Sequence, residues 1–186
     1  MKLRLTVLLM AILSLASCKD DKKGADTKEA PAAVVDKEND IFKVSFDLIL
    51  KKDDNLHLYY TEDGTINFNE KSSVWMPIIG SDKVQTITFK LPKDVLPTAL
   101  RVDFGFEKNE AQSDVELKAF KMNYFGQEAV AEGTAIFDYF YPNKGNTEIV
   151  PGTSTLKRLK KDQPSGPTLY PQIPLSEKLK QMTVGK

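Results

Sequence analysis

The chain has little of what most enzymes use for chemistry: among 186 residues there is one cysteine, Cys18, one histidine, His57, and one tryptophan, Trp75. A lone cysteine excludes an internal disulfide framework and the multi-cysteine zinc sites. The sequence also has no Gly-x-Ser-x-Gly elbow, no His-Glu-x-x-His and no phosphate-cradling glycine loop. Without them, nucleophile–base triads, zinc hydrolases and nucleotide-binding loops drop out, and no cofactor or metal is implied. An excess of one charge is missing too, since 26 Lys and Arg balance 26 Asp and Glu. Such a balance gives no concentrated basic face for nucleic acid and no long-range steering of a charged partner. Paired carboxylates could still serve a glycoside hydrolase, but 26 acidic residues make some such pair inevitable, so that reading ranks last.

Long apolar runs are scarce as well. The one that stands out, Leu5 to Ala16, is twelve residues long, follows Lys2 and Arg4, and ends in Leu15-Ala16-Ser17-Cys18. A bilayer span needs about 20 apolar residues. A charged start, a short apolar stretch and small residues before a cut site instead mark a secretory signal peptide over residues 1–17. The tetrapeptide resembles the lipobox of bacterial lipoproteins, and that resemblance implies lipidation at Cys18, whose thiolate takes up a diacylglyceryl group as a thioether. Each buried methylene contributes about 0.8 kcal/mol, so two or three chains hold a protein where one would not. Lys19-Asp20-Asp21 is similar to the signal that, in one lineage of Gram-negative bacteria, sends lipoproteins to the outer face of the outer membrane. The expectation is a lipid-anchored protein of the cell outer membrane, exposed at the surface.

Cleavage would leave 169 residues with 24 basic against 26 acidic side chains. Residues 18–40 hold the lipidated Cys18 and a stretch without aromatics, dominated by Lys, Asp, Glu and Ala. They cannot bury enough apolar surface to order themselves and read as a tether, about 25 Å end to end as a coil and roughly 75 Å when stretched. Residues 41–186 are expected to form a single domain, long enough to bury a core unaided.

From Ile41 the hydrophobic period becomes two. Phe42, Val44, Phe46, Leu48 and Leu50 fall on one face, with Lys43, Ser45 and Asp47 on the other, as in a half-buried strand. Further strands are expected at Asn55–Tyr60, Ser73–Ile79, Val84–Leu91, Thr98–Phe106, Val115–Phe125, Gly133–Tyr141 and Thr153–Lys160. Pro77 places its strand at an edge. Asp63-Gly64 signals a hairpin turn, and the phase slip from Val115-Leu117-Ala119 to Phe120-Met122-Tyr124 a bulge near Ala119 and Phe120. A short helix is expected at Leu175–Met182. Eight or so short strands separated by turn residues predict an all-β, jelly-roll-like β-sandwich with a short C-terminal helix.

The candidate ligand-binding residues are Trp75, Tyr59, Arg101 and Asp103. Trp75, on an edge strand, is the aromatic best placed to be accessible, and Arg101 and Asp103 share an outward strand face where they could pair. His57 is expected to point outward into solvent. Tyr139 and Tyr141, in phase with Phe137, are expected in the core or at its rim. The acidic loops Lys52–Asn55 and Thr61–Gly64, expected to lie adjacent, offer oxygens that calcium would take, but turns demand the same residues. The basic run Leu156–Lys161 reads as Lys protecting an edge strand.

Three segments together, Gln85-x-Ile87-x-Phe89-x-Leu91-Pro92, Leu100-Arg101-Val102-Asp103-Phe104-Gly105 and Tyr139-Phe140-Tyr141-Pro142-Asn143, resemble the β-sandwich accessory domains of bacterial membrane proteins and glycosyltransferases of surface-polysaccharide assembly. Those are similar in turn to galactose-binding-like, carbohydrate-binding jelly rolls. The resemblance implies a non-catalytic domain that binds a glycan or a partner of a glycan-handling system. The alternative is a structural or assembly lipoprotein docking onto a membrane protein complex through a sandwich edge or the C-terminal helix.

Overall fold

The structure, a computed structural model, describes residues 38–106 and 114–185. The expected signal peptide, Cys18 and all but the last residues of the tether lie outside the described residues. Eleven strands are described: β1 (Lys43–Leu50), β2 (Asp54–Thr61), β3 (Ser73–Ile78), β4 (Ser81–Lys90), β5 (Ala99–Phe104), β6 (Val115–Tyr124), β7 (Gln127–Glu132), β8 (Phe140–Pro142), β9 (Thr147–Ile149), β10 (Thr155–Arg158) and β11 (Thr168–Pro171). A helix, α1 (Ile173–Thr183), follows them. The strands form two antiparallel sheets, an all-β sandwich. One sheet has the order β4-β1-β6-β10-β9 with β7 also beside β6; the other has the order β3-β2-β5-β11-β8.

Alternation explains the pairing. In β1, Val44, Phe46, Leu48 and Leu50 are fully buried, and a one-residue slip would turn all of them outward. β6 keeps both of its hydrophobic phases by a bulge: its register with β1 passes from Asp47↔Ala119 to Leu48↔Leu117. Lys118 is the extra residue and is exposed, while Leu117 and Phe120 both face the core. Phe46 is the centre of that core. Its ring lies 5.6 Å from Phe104, 5.2 Å from Phe120 and 6.3 Å from Phe140, so one side chain joins both sheets. Pro174 starts α1, and Leu175, Leu179 and Met182 form its buried stripe.

Three expectations are corrected. Gly133–Asp138 is a 3-10 helix and not a strand; Gly133 sits at φ +54° and the helix resets the phase, so Phe140 enters the core and Tyr141 turns outward, 41 % exposed. The basic run is not on an edge, because β10 pairs with both β6 and β9. The two acidic loops are not neighbours, because they flank opposite ends of β2. Pro77 does lie on an edge strand, since β3 pairs with β2 alone.

One close approach sets the geometry of the five-stranded sheet. At Gly166 a Cβ would lie 1.7 Å from the Phe104 carbonyl oxygen. Only glycine lets the β10–β11 connection pass there, where the Gly166 N–H donates to the Gly105 carbonyl at 2.8 Å. This brings β11 against β5.

Candidate functional site

The inward residues of the five-stranded sheet are Leu56, Leu58 and Tyr60 on β2, Leu100, Val102 and Phe104 on β5, and Leu169 on β11. Their neighbours point to the outer face by the period of two. Register then arranges these in rows. His57 stands opposite Trp75 on one side and Asp103 on the other, and Asp103 opposite Thr168. Tyr59 stands opposite Arg101, and Tyr170 opposite Tyr141.

The result is a file of six planar groups across the sheet. Trp75 stacks on His57 at 3.7 Å with 20° between planes, and His57 meets Tyr59 at 3.8 Å. The Arg101 guanidinium carbon lies 4.7 Å from the Tyr59 ring centre and 5.1 Å from that of Tyr170, within cation–π range of both. Tyr170 stacks on Tyr141 at 5.8 Å and 21°. The file begins and ends on edge strands, and its ends are its exposed members: Trp75 at 39 % and Tyr141 at 41 %. Phe106 meets Trp75 edge-on at 4.8 Å.

All four candidate residues therefore come together, but unequally. Trp75 and Arg101 are accessible, whereas Tyr59 (8 %) and Asp103 (9 %) are buried and act through what they hold. Asp103 grips Arg101 in a two-point bond, Nε to Oδ1 at 2.9 Å and Nη2 to Oδ2 at 2.6 Å. Burial works against the charge on Arg101, yet the bond to Asp103 outweighs it and its pKa lies above the ordinary value. The charge and the plane of the guanidinium are thus fixed.

His57 is the plain correction. It does point to the outer face, but at 1 % exposure it is not solvated; Trp75 and Tyr59 cover it. Its Nε2 has no hydrogen-bond partner among the described residues. Glu70 Oε2 lies 3.6 Å away, too far for a hydrogen bond. Burial pushes the imidazole pKa down against the attraction of Glu70 and Asp103, which favours the uncharged ring stacked as a plate between Trp75 and Tyr59.

The connection between β2 and β3 closes the file on one flank. Asp63 anchors it by accepting the Thr65 N–H at 3.0 Å, with Gly64 at φ +78°, and Glu62 accepts the Leu96 N–H at 3.0 Å. Phe68 reaches Tyr59 and Tyr170 at 6.4 and 6.2 Å. The Tyr59 hydroxyl donates to Glu70 Oε1 at 2.8 Å; burial and Glu70 together push that hydroxyl's pKa up. Phe68, Glu70, Tyr141 and Tyr170 were missed as site residues. The signal for Tyr170 was its outward phase beside a Pro, and for Phe68 and Glu70 the sequence carried none, because their contacts depend on how a loop folds back.

The acidic loops are occupied in turns. Asp53 accepts the Gly80 N–H at 2.8 Å, and Asp54 accepts those of Asn55 and Phe106 at 2.8 and 3.2 Å. Among the described residues no group of three His, Cys, Asp or Glu side chains is placed to hold a metal ion, and no described helix is long and apolar enough to cross a membrane. No protein-family model, curated protein or solved structure matches this chain.

Proposed function

We propose that this protein is a lipid-anchored, non-catalytic lipoprotein of the cell outer membrane that binds carbohydrate on the outer face of its five-stranded sheet. The observation that carries the reading is Trp75: an indole held in place by a buried imidazole on one side, 39 % exposed, at the head of a file that includes a fixed guanidinium. Sugars present apolar C–H faces that pack on aromatic rings and hydroxyls that bond to paired Arg and Asp groups. A solvent-facing sheet surface is ordinarily polar, so an ordered aromatic one calls for an occupant. The anchor rests on Leu15-Ala16-Ser17-Cys18 and the similarity of Lys19-Asp20-Asp21 to a surface-export signal.

The docking alternative loses its helix version, because the apolar stripe of α1 is buried in the domain's own core. Asp103 is unsuited to the acid role of a hydrolase, since both its oxygens are taken by Arg101. The test is binding of the full chain, purified in detergent, to a glycan array and to the cell's own polysaccharides. Saturable binding lost in Trp75→Ala is expected, and flat responses to every glycan would remove the proposal.

A further inference from the structure

We infer that the ligand of this face is an extended, uncharged saccharide chain laid across the strands, and neither an acidic polysaccharide nor a single terminal sugar. The inference rests on the carbohydrate reading above and adds the length and charge of what is bound.

Length follows from where the exposed rings stand. Trp75 is on β3 and Tyr141 on β8, the two edge strands of the sheet. Four inter-strand steps of about 4.8 Å put them roughly 19 Å apart across the sheet. One sugar ring cannot touch both. Between them the members of the file are buried or half-buried: His57, Tyr59, Arg101 and Tyr170. Of these, Arg101 and Tyr170 are part-exposed, so a chain laid from one end of this strip to the other passes over them, with an aromatic plate at each end.

Charge follows from the groups that touch this strip. Arg101 is the one cation in the file, and Asp103 answers it through two hydrogen bonds. Glu70, 68 % exposed at its side chain, adds a second carboxylate beside Tyr59 and His57. Burial disfavours a charge on His57, and Arg101 with Asp103 and Glu70 sums to a net negative charge. A uronic or sulfated chain would meet the Glu70 carboxylate, which no cation of the strip answers, and that costs binding. A neutral chain meets none of this repulsion. The Arg101 Nη1 makes no hydrogen bond with the described residues and has a partly exposed side chain, so it is a donor available to a sugar hydroxyl midway along the strip.

The experiment uses the full chain in detergent against a glycan array in which neutral and acidic members run from monosaccharide to hexasaccharide. The best neutral series is then titrated calorimetrically with the wild type, Trp75→Ala and Tyr141→Ala. Affinity should climb about tenfold or more once the chain reaches both rings. Each variant should return the long chains to the affinity of short ones, and acidic chains of matched length should bind about tenfold more weakly. A monosaccharide that binds as tightly as the hexasaccharide, or a Tyr141→Ala variant that binds long chains like the wild type, overturns the extended site and leaves carbohydrate binding standing. A preference for acidic chains overturns the charge argument alone. If no sugar of either class binds, the functional reading beneath the inference falls with it.

Discussion

On the outer face of the six-stranded sheet, Asp47 takes Lys121 at 2.6 Å and the Thr86 hydroxyl at 2.6 Å, Ser45 meets Thr88 at 2.9 Å, and Glu38 bridges Lys90 and Lys43. On the outer face of the five-stranded sheet, the same kind of antiparallel strand carries Trp75, His57, Tyr59, Arg101 and Tyr170. The first face answers its own charges with one another and meets water. The second stacks rings over a polar sheet surface and keeps an imidazole dry. Both faces rest on one core, so the difference is a matter of what the outward phase was given, and the face finished in rings is the one we propose for a ligand.

The deepest way to break the comparison is to remove what the faces share. Phe46→Ala deletes the ring that meets Phe104, Phe120 and Phe140 and should lower unfolding free energy by about 3–5 kcal/mol in a denaturant titration. Glycan binding should fail only as the fold does. Trp75→Ala should act on one face alone. Binding should weaken by about tenfold or more, and the covered imidazole should be opened to water. Because desolvation is what holds the His57 pKa down, that pKa should rise toward its ordinary 6.5. As the chain has one histidine, a single imidazole proton resonance followed through a pH titration reads it.

Much of the six-stranded sheet was legible in the letters. The period of two in Phe42–Leu50 named the inward residues of β1, and the phase slip after Ala119 announced a bulge, which falls one residue earlier, at Lys118. Trp75 was legible as accessible because Pro77 confines its strand to an edge. The stacking of Trp75 on His57 was not, since it depends on the register between β2 and β3, and no local pattern fixes which residue meets which across an eleven-residue connection. His57 was therefore read as solvated when its neighbours in fact bury it. β8 and β9, three residues each, are too short for alternation to show. Gly133–Asp138 misled in the other direction: its apolar residues suit a strand, but Gly133 at positive φ opens a 3-10 turn.

Acid should separate the two faces by pH window. Burial holds the His57 pKa down in the fold, so from pH 6.5 downward the unfolded chain takes up a proton that the folded one resists. Stability should begin to fall there. Burial works to raise the Asp47 carboxyl, but hydrogen bonds from Lys121 and Thr86 outweigh it and hold its pKa below the ordinary 3.8. The stabilisation from Asp47 is thus intact above pH 3.8 and lost only as pH drops through the lower folded value. Denaturant midpoints measured from pH 8 to pH 3 should show the earlier loss removed in His57→Phe and retained in Asp47→Asn.

The smallest effect is expected from Lys121→Ala. Its ion pair with Asp47 is partly exposed, and such pairs are worth about 0–1 kcal/mol. Thermal melts should shift little, and binding on the opposite face should not change. A Lys121→Ala variant that lost glycan binding would mean the faces had been assigned the wrong way round.

Trp75 is the sole tryptophan of the chain, so its fluorescence reports from the head of the proposed ligand strip. Titrating the full chain in detergent with the neutral oligosaccharides that bind it should give a saturable change in emission intensity or wavelength, with the same midpoint as calorimetry and absent for non-binding sugars. Calorimetric binding with the Trp75 emission unchanged would place the ligand elsewhere and contradict the account.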